Sequence, residues 1–113
     1  MQREERDAAH LSDMLAFAME VIEFTDGISL EMYLAQLQTR RATERSIELL
    51  GEAARRVSET TRAEVVEIPW RNIVGLRNLL AHEYGVIQDT QIWEAATSDV
   101  PVLVEQLRRL VSP

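Results

Sequence analysis

The stretch Ile68 to Gly85, I-P-W-R-N-I-V-G-L-R-N-L-L-A-H-E-Y-G, reads as one helix with both ends marked. Pro69 suits a first turn, where a missing N–H is tolerated. Gly85 suits the residue just past the last turn. Between them Trp70, Ile73, Val74, Leu76, Leu79, Leu80 and Ala81 leave little of the circumference polar. Such a helix is expected to be buried centrally or shared with a partner. Against that apolar background stand Arg77, Asn78, His82 and Tyr84, and polar functional groups on an apolar helix call for an explanation.

The flanking chain extends the helical pattern. Residues 3–25 place Leu11, Met14, Leu15, Ala18, Val21, Ile22 and Thr25 at three- and four-residue spacing. A second stripe of His10, Phe17 and Phe24 widens that apolar surface, so one side can pack internally while the other meets a partner. Gly27 is the expected stop and Ser29 the expected N-cap of a short second helix carrying Leu30, Tyr33, Leu34 and Leu37. Tyr33 is expected in the core with its hydroxyl in water. A third helix is expected over residues 39–58, capped by Thr39, with Ala42, Leu49, Leu50, Ala53, Ala54 and Val57 buried and Ile47 beside them. Gly51 costs this helix roughly 1 kcal/mol relative to alanine, which a close helix–helix approach would offset. Residues 59–67 form a connection with about one helical turn. Asp89 is expected to cap a last helix over residues 90–111, with a kink near Thr97 to Asp99, because Pro101 lacks the N–H that would bond to the preceding turn. The outcome is one all-α domain over residues 1–113, an up-and-down bundle of four to five helices, with an apolar surplus that suggests a homodimer.

Composition narrows the function classes. With no cysteine there is neither disulfide nor thiolate chemistry. No apolar run approaches the roughly 20 residues of a membrane span, and the charged start M-Q-R-E-E-R-D leads into no signal-peptide core, so the expected location is the cytoplasm. A net charge of −7 argues against a broad basic nucleic-acid surface. The charge is unevenly spread: residues 1–36 hold eight acids and two arginines, while residues 37–62 hold six arginines and four acids. All 12 basic residues are arginine, the better fork for phosphate. Glu48, Glu52 and Arg56 follow at one-turn spacing, either as ion pairs on a solvated face or as a support that holds arginines near a site.

Arg77 and His82, five residues apart, lie roughly 140° apart around an ideal helix and about 7.5 Å along it. One chain does not bring them into a tight pair; a two-fold axis near the helix would gather two arginines and two histidines in one cleft. Histidine can exchange protons near neutral pH, and arginine can stabilise a phosphorane-like transition state. One histidine with Glu83 and Asp89 makes a poor metal-ligand set, so a metal-free, cofactor-free reaction at phosphate is consistent. RNA would supply its own 2′-hydroxyl as nucleophile, giving a 2′,3′-cyclic phosphate and a 5′-hydroxyl. From these residues alone a structural reading stands beside the catalytic one: His82 offsetting the helix dipole, Arg77 paired with an acid of the third helix, and Asn78 as a polar core residue.

Arg77 to Tyr84, R-N-L-L-A-H-E-Y, resembles the R-x4-H-x-Y motif of HepT-type toxins in the HEPN superfamily of helical ribonucleases. The likeness extends to Ile68–Asn78, to A-T-E-R-S-I-E-L-L-G-E-A-A-R-R over Ala42–Arg56, to S-L-E-M-Y-L from Ser29 and to W-E-A-A-T-S-D-V-P-V-L from Trp93. The resemblance implies a homodimeric HEPN bundle with Arg77 and His82 as catalytic residues at the interface and Asn78 as their polar neighbour. Arg45 matches a basic position and would line the cleft or face solvent. The implied function is the toxin of a type II/VII-like toxin–antitoxin pair, a metal-independent endoribonuclease acting on cellular RNA. Its implied partner is an MntA-type nucleotidyltransferase antitoxin that transfers AMP to Tyr84, placing bulk and negative charge at the cleft mouth. Arg40 and Arg41 stand where the family often carries polar or acidic residues; they would contact RNA or face solvent. The rival reading is a non-catalytic HEPN module that binds a nucleotide or a partner, and the third is a plain adaptor bundle.

Overall fold

A computed structural model describes residues 2–82 and 86–111, leaving aside the side chains at 81, 82, 86 and 87. Among the described residues every regular element is a helix, and there is no strand. In order they form α1 (Arg3–Thr25), α2 (Leu30–Ala35), α3 (Leu37–Arg56), α4 (Glu59–Glu64), α5 (Trp70–His82), α6 (Val86–Glu94), a π turn (Ala95–Asp99) and α7 (Val100–Leu110). None of these helices is long and apolar enough to cross a membrane.

The core lies where α1 meets α3 and α7. Leu11, Met14, Ala18 and Val21 of α1 are buried against Ile47, Leu50 and Ala54 of α3 and Val100, Leu103, Val104 and Leu107 of α7. The expected stripe on α1 is present, although Leu15 and Ile22 are half-buried at its margin. On α3 the stripe is rotated from expectation: Thr43, Ser46 and Ile47 are buried, while Ala42 and Leu49 are half-buried. Polar residues enter this contact because each finds a partner, one within its own helix and one across to α1. The Thr43 hydroxyl donates to the Thr39 carbonyl at 2.8 Å, and the Ser46 hydroxyl donates to the Glu20 carboxylate at 2.8 Å.

The helix boundaries follow specific caps. Gly27 takes φ +74°, the left-handed conformation that glycine adopts without a Cβ penalty, and α1 ends there as expected. The Ser29 side chain accepts from the Met32 amide at 3.1 Å, opening α2. The second helix is shorter than expected, for it stops at Ala35 and Gln36 is extended. Leu37 therefore opens α3 and is 53% exposed. Thr39 is not a cap: its hydroxyl donates to the Gln36 side chain at 2.9 Å.

The last helix also departs from expectation. It begins at Val86, so Asp89 sits inside α6 and pairs with Arg40 at 3.6 Å instead of capping. The kink expected from Pro101 is present as the π turn, where the Val100 amide bonds back to the Ala95 carbonyl.

Tyr33 is fully buried and tilted against Trp93, with ring centroids 5.2 Å apart. Its hydroxyl is not in water, as the sequence suggested, and has no hydrogen-bond partner among the described residues. Burial, with Glu44 and Asp89 nearby, pushes its phenol above the usual tyrosine range. A buried hydroxyl without a partner costs about 1–3 kcal/mol. Tyr33→Phe should therefore leave thermal stability unchanged or raise it, read as the melting midpoint; a clear drop would show a bond that the hydroxyl makes.

A second buried polar group fastens α1 to α4. One Asp7 oxygen accepts from the Ser58 amide at 2.9 Å, and the other accepts from the Ser58 hydroxyl at 2.6 Å and from Thr61. Burial raises the Asp7 carboxyl, but the bonds from Ser58 and Thr61 and the nearby Arg3 outweigh it and hold it below the usual aspartate range. A depressed carboxylate contributes stability above its unfolded pKa of about 3.9 and loses it as pH falls through the lower folded value. Urea midpoints should thus favour wild type over Asp7→Ala by about 2 kcal/mol at pH 7. The gap should shrink below about pH 4, and a gap constant with pH would contradict this account.

Candidate active site

The helix expected at the centre of the bundle lies at its side. Helix α5 packs mainly on α3, with a lesser contact to α6. Within it Trp70 and Ile73 are buried, whereas Val74, Leu76, Leu79 and Leu80 are half-buried. The central reading is thus not met, and part of α5 is left half-covered. Pro69 precedes the first turn, its carbonyl accepting from the Ile73 amide at 3.1 Å. The Trp70 indole N–H donates to the Val65 carbonyl at 2.9 Å, locking the entry to α5.

Gly51 sets the distance between α3 and α5. A Cβ there would stand 3.2 Å from the Ile73 carbonyl oxygen and 3.6 Å from the Arg77 Cβ. The glycine's helix cost is thus offset by close approach, as the sequence suggested. That approach brings Arg77 beside Glu52, the residue after Gly51. Arg77 Nη1 donates to Glu52 Oε2 at 3.2 Å.

Glu52 gathers three arginines. Arg55 reaches it at 2.7 Å, Arg56 at 3.4 Å and Arg77 at 3.2 Å. The Arg55 hydrogen bond, aided by the charges of Arg55, Arg77 and Arg56 against some desolvation, holds the Glu52 carboxyl below the usual glutamate range. Glu52 raises Arg55 in return. Glu52 therefore makes ion pairs within α3 and also bonds Arg77 across to α5. The Arg77 side chain remains 47% exposed, so the contact orients the guanidinium without hiding it.

Asn78 turns the other way, into a groove of about 600 Å³ between α4 and α5. Helix α5 remains regular through His82, which places position 82 one turn beyond Asn78 and roughly 140° from Arg77 around the axis. The His82 side chain and all of Tyr84 lie outside the described residues, as do Glu83 and Gly85. Just past this segment Gln88 is buried and donates to the Leu79 carbonyl at 3.2 Å, tying α6 to the end of α5.

The other arginines are placed differently. Arg45 is exposed and pairs with Glu48 at 2.7 Å. It stands two turns, roughly 10 Å along α3, from Glu52 and is not gathered with Arg77. Arg41 pairs with Glu44 at 3.0 Å on the surface. Arg40 neither faces solvent freely nor offers itself to a ligand: it donates to the Leu34 carbonyl and pairs with Asp89. Arg62 and Arg71, which line the α4–α5 groove, are absent from the sequence reading. For Arg71 a signal was its spacing with Gly75 and Asn78 along one face of α5; Arg62, on α4, had none.

The family model described as "Ribonuclease HepT-like" matches residues 14–110. A Methanocaldococcus jannaschii protein named "Putative RNase" is 35% identical over 99 residues, covering 88% of this chain and 91% of its own. "Probable ribonuclease HepT" of Thermococcus cleftensis is 32% identical over 111 residues, covering 97% of this chain and 98% of its own. No solved structure gives a significant match. The match over most of the chain, on an all-helical bundle that carries Arg77 and His82 on α5, makes this protein a member of the HepT-like ribonuclease family.

Proposed function

We propose that the chain is a metal-independent endoribonuclease toxin acting as a homodimer, with Arg77 and His82 of both subunits in one composite cleft. The observation that carries this reading is Arg77 itself: half-exposed, oriented by Glu52 and next to a groove entered by Asn78. The half-buried Leu76, Leu79 and Leu80 give α5 an apolar face, away from the groove, that a second subunit can cover. A two-fold axis beside that face overcomes the angular separation of Arg77 and His82 within one chain.

In this mechanism His82 takes the proton of the 2′-hydroxyl and that oxygen attacks the adjacent phosphorus. The P–O5′ bond breaks, a second histidine protonates the leaving oxygen, and Arg77 stabilises the charge that builds on the phosphoryl oxygens. The products are a 2′,3′-cyclic phosphate and a 5′-hydroxyl. Asn78 contributes a neutral polar contact to the substrate, and Arg45 lies further along α3 as an outer contact. Tyr84, on the resemblance, is the acceptor of AMP from a nucleotidyltransferase antitoxin. An AMP group there adds negative charge beside the phosphate path and blocks it.

The test is an RNA substrate with a single 2′-deoxy nucleotide at a mapped cleavage position. Cleavage should disappear at that position alone and persist elsewhere. Undiminished cleavage there would show a nucleophile other than the 2′-hydroxyl. Binding of RNA without cleavage at any position would favour the non-catalytic module.

A further inference from the structure

Seven of the 12 arginines pair with a carboxylate among the described residues: Arg3, Arg40, Arg41, Arg45, Arg55, Arg56 and Arg77. In a chain of net charge −7 this is the ordinary fate of an arginine. Five make no such pair there, Arg6, Arg108, Arg109, Arg62 and Arg71; the last two share a groove, where the Arg62 Nε is buried without a hydrogen-bond partner. Both line the α4–α5 groove, on opposite walls, with Glu59 as the one acid among its lining residues. Between them Gly75 leaves the floor open: a Cβ at that position would meet nothing within 4 Å. Trp70 and Val74 make the floor apolar, and Asn78 closes the groove at the end nearer His82.

We infer that this groove is the seat of the RNA strand flanking the cleaved phosphate, with Arg62 and Arg71 as its phosphate contacts. The inference rests on the ribonuclease reading and gives that site its substrate path. A volume of about 600 Å³ lies within the range of small-ligand sites and suits one nucleotide at a time. Two guanidiniums across an apolar floor match a single strand, whose phosphates lie outside and whose unpaired base has a flat face to bury. Arg71 and Asn78 are two turns apart on one face, roughly 10 Å, so a strand lying along α5 reaches Asn78 and position 82 from Arg71. Helix α4 supplies Arg62, and the Asp7–Ser58–Thr61 bonds fix α4. The buried carboxylate on α1 thereby positions one wall of the groove.

The test is fluorescence anisotropy with a labelled oligouridylate that is 2′-O-methylated throughout and cannot be cleaved by the proposed route. Four proteins are compared: wild type, Arg62→Gln/Arg71→Gln, Gly75→Leu and, as an equal charge loss elsewhere, Arg108→Gln/Arg109→Gln on α7. The groove double variant should weaken binding about tenfold or more and flatten the log–log salt slope by about 1.4, the value for two phosphates on a single strand. Gly75→Leu plugs the floor without changing charge, so it should weaken binding about as much with the salt slope unchanged. The α7 variant should bind within about twofold of wild type. Wild-type affinity in both groove variants, alongside salt-dependent wild-type binding, would overturn the inference and leave the ribonuclease reading intact. A changed oligomeric mass in the groove variants would overturn it too, by making the groove a contact between protein chains. Failure of wild type to bind the probe at all would count against the ribonuclease reading itself.

Discussion

Arg77→Ala should lower RNA cleavage by about 100- to 1,000-fold while the protein stays folded. The size follows from removing a charged donor at developing transition-state charge, a change worth that much in other enzymes. The fold should survive because the side chain is 47% exposed and its bond to Glu52 is a partly solvated ion pair, worth about 1 kcal/mol at most. Glu52 keeps Arg55 and Arg56 when Arg77 is gone, so no carboxylate is stranded. Initial rates on one RNA substrate, with circular dichroism as the check on folding, decide the matter. Cleavage within tenfold of wild type would remove Arg77 from the reaction and leave it as a surface ion pair. Glu52→Gln makes a useful companion, since it keeps the side chain's shape and weakens its hold on Arg77. Partial loss of rate is expected there, smaller than for Arg77→Ala.

Gly51→Leu should cost about 3 kcal/mol of folding stability and depress cleavage with it. The first added carbon would already stand 3.2 Å from the Ile73 carbonyl oxygen, a backbone atom that cannot swing aside. Overpacking of this kind costs about 1–3 kcal/mol, and leucine adds three further carbons beyond the β position. The roughly 1 kcal/mol of helix propensity regained by replacing glycine offsets only part of that. Relief requires α5 to move off α3, which takes Arg77 away from Glu52. Urea unfolding reads the stability, and the rate of the folded fraction reads the geometry. A variant as stable as wild type would mean that α3 and α5 do not approach as closely as Gly51 allows.

Several of these features were legible in the residues themselves. The limits of α1, the Ser29 cap and the stop at Gly27 depend on neighbours in sequence, so local chemistry suffices to read them. The break before Pro101 is equally local. Gly51 was legible as a question, since a glycine inside a helix needs a reason, and α5 is the answer. What escaped depends on who packs against whom. Asp89 carries the chemistry of an N-cap but stands inside α6, because Arg40 on α3 is its partner. Tyr33 looked amphipathic, yet Trp93, 60 residues later, helps to close it off from water. The apolar content of α5 suggested a helix either central or shared with a partner; within the chain α1 and α3 take the central place and leave α5 half-covered.

The candidate site divides in the same way. The motif residues Arg77 and Asn78 were found from composition contrast and resemblance, and the structure adds that they face different neighbours, Glu52 and the groove. Arg62 and Arg71 could not be singled out among 12 arginines until the groove that they share between α4 and α5 was visible. Arg45, chosen from the family pattern, pairs with Glu48 along α3 and stays apart from that cluster.

The most direct measurement of the central claim is cleavage of total cellular RNA by the purified protein in excess EDTA, with His82→Ala alongside. Both proteins are first verified by mass as unmodified and by sedimentation as equal in oligomeric state. Cleavage by wild type alone, leaving cyclic phosphate ends, is the predicted result. Absence of cleavage by the folded, unmodified wild type, or equal cleavage by His82→Ala, would contradict the account.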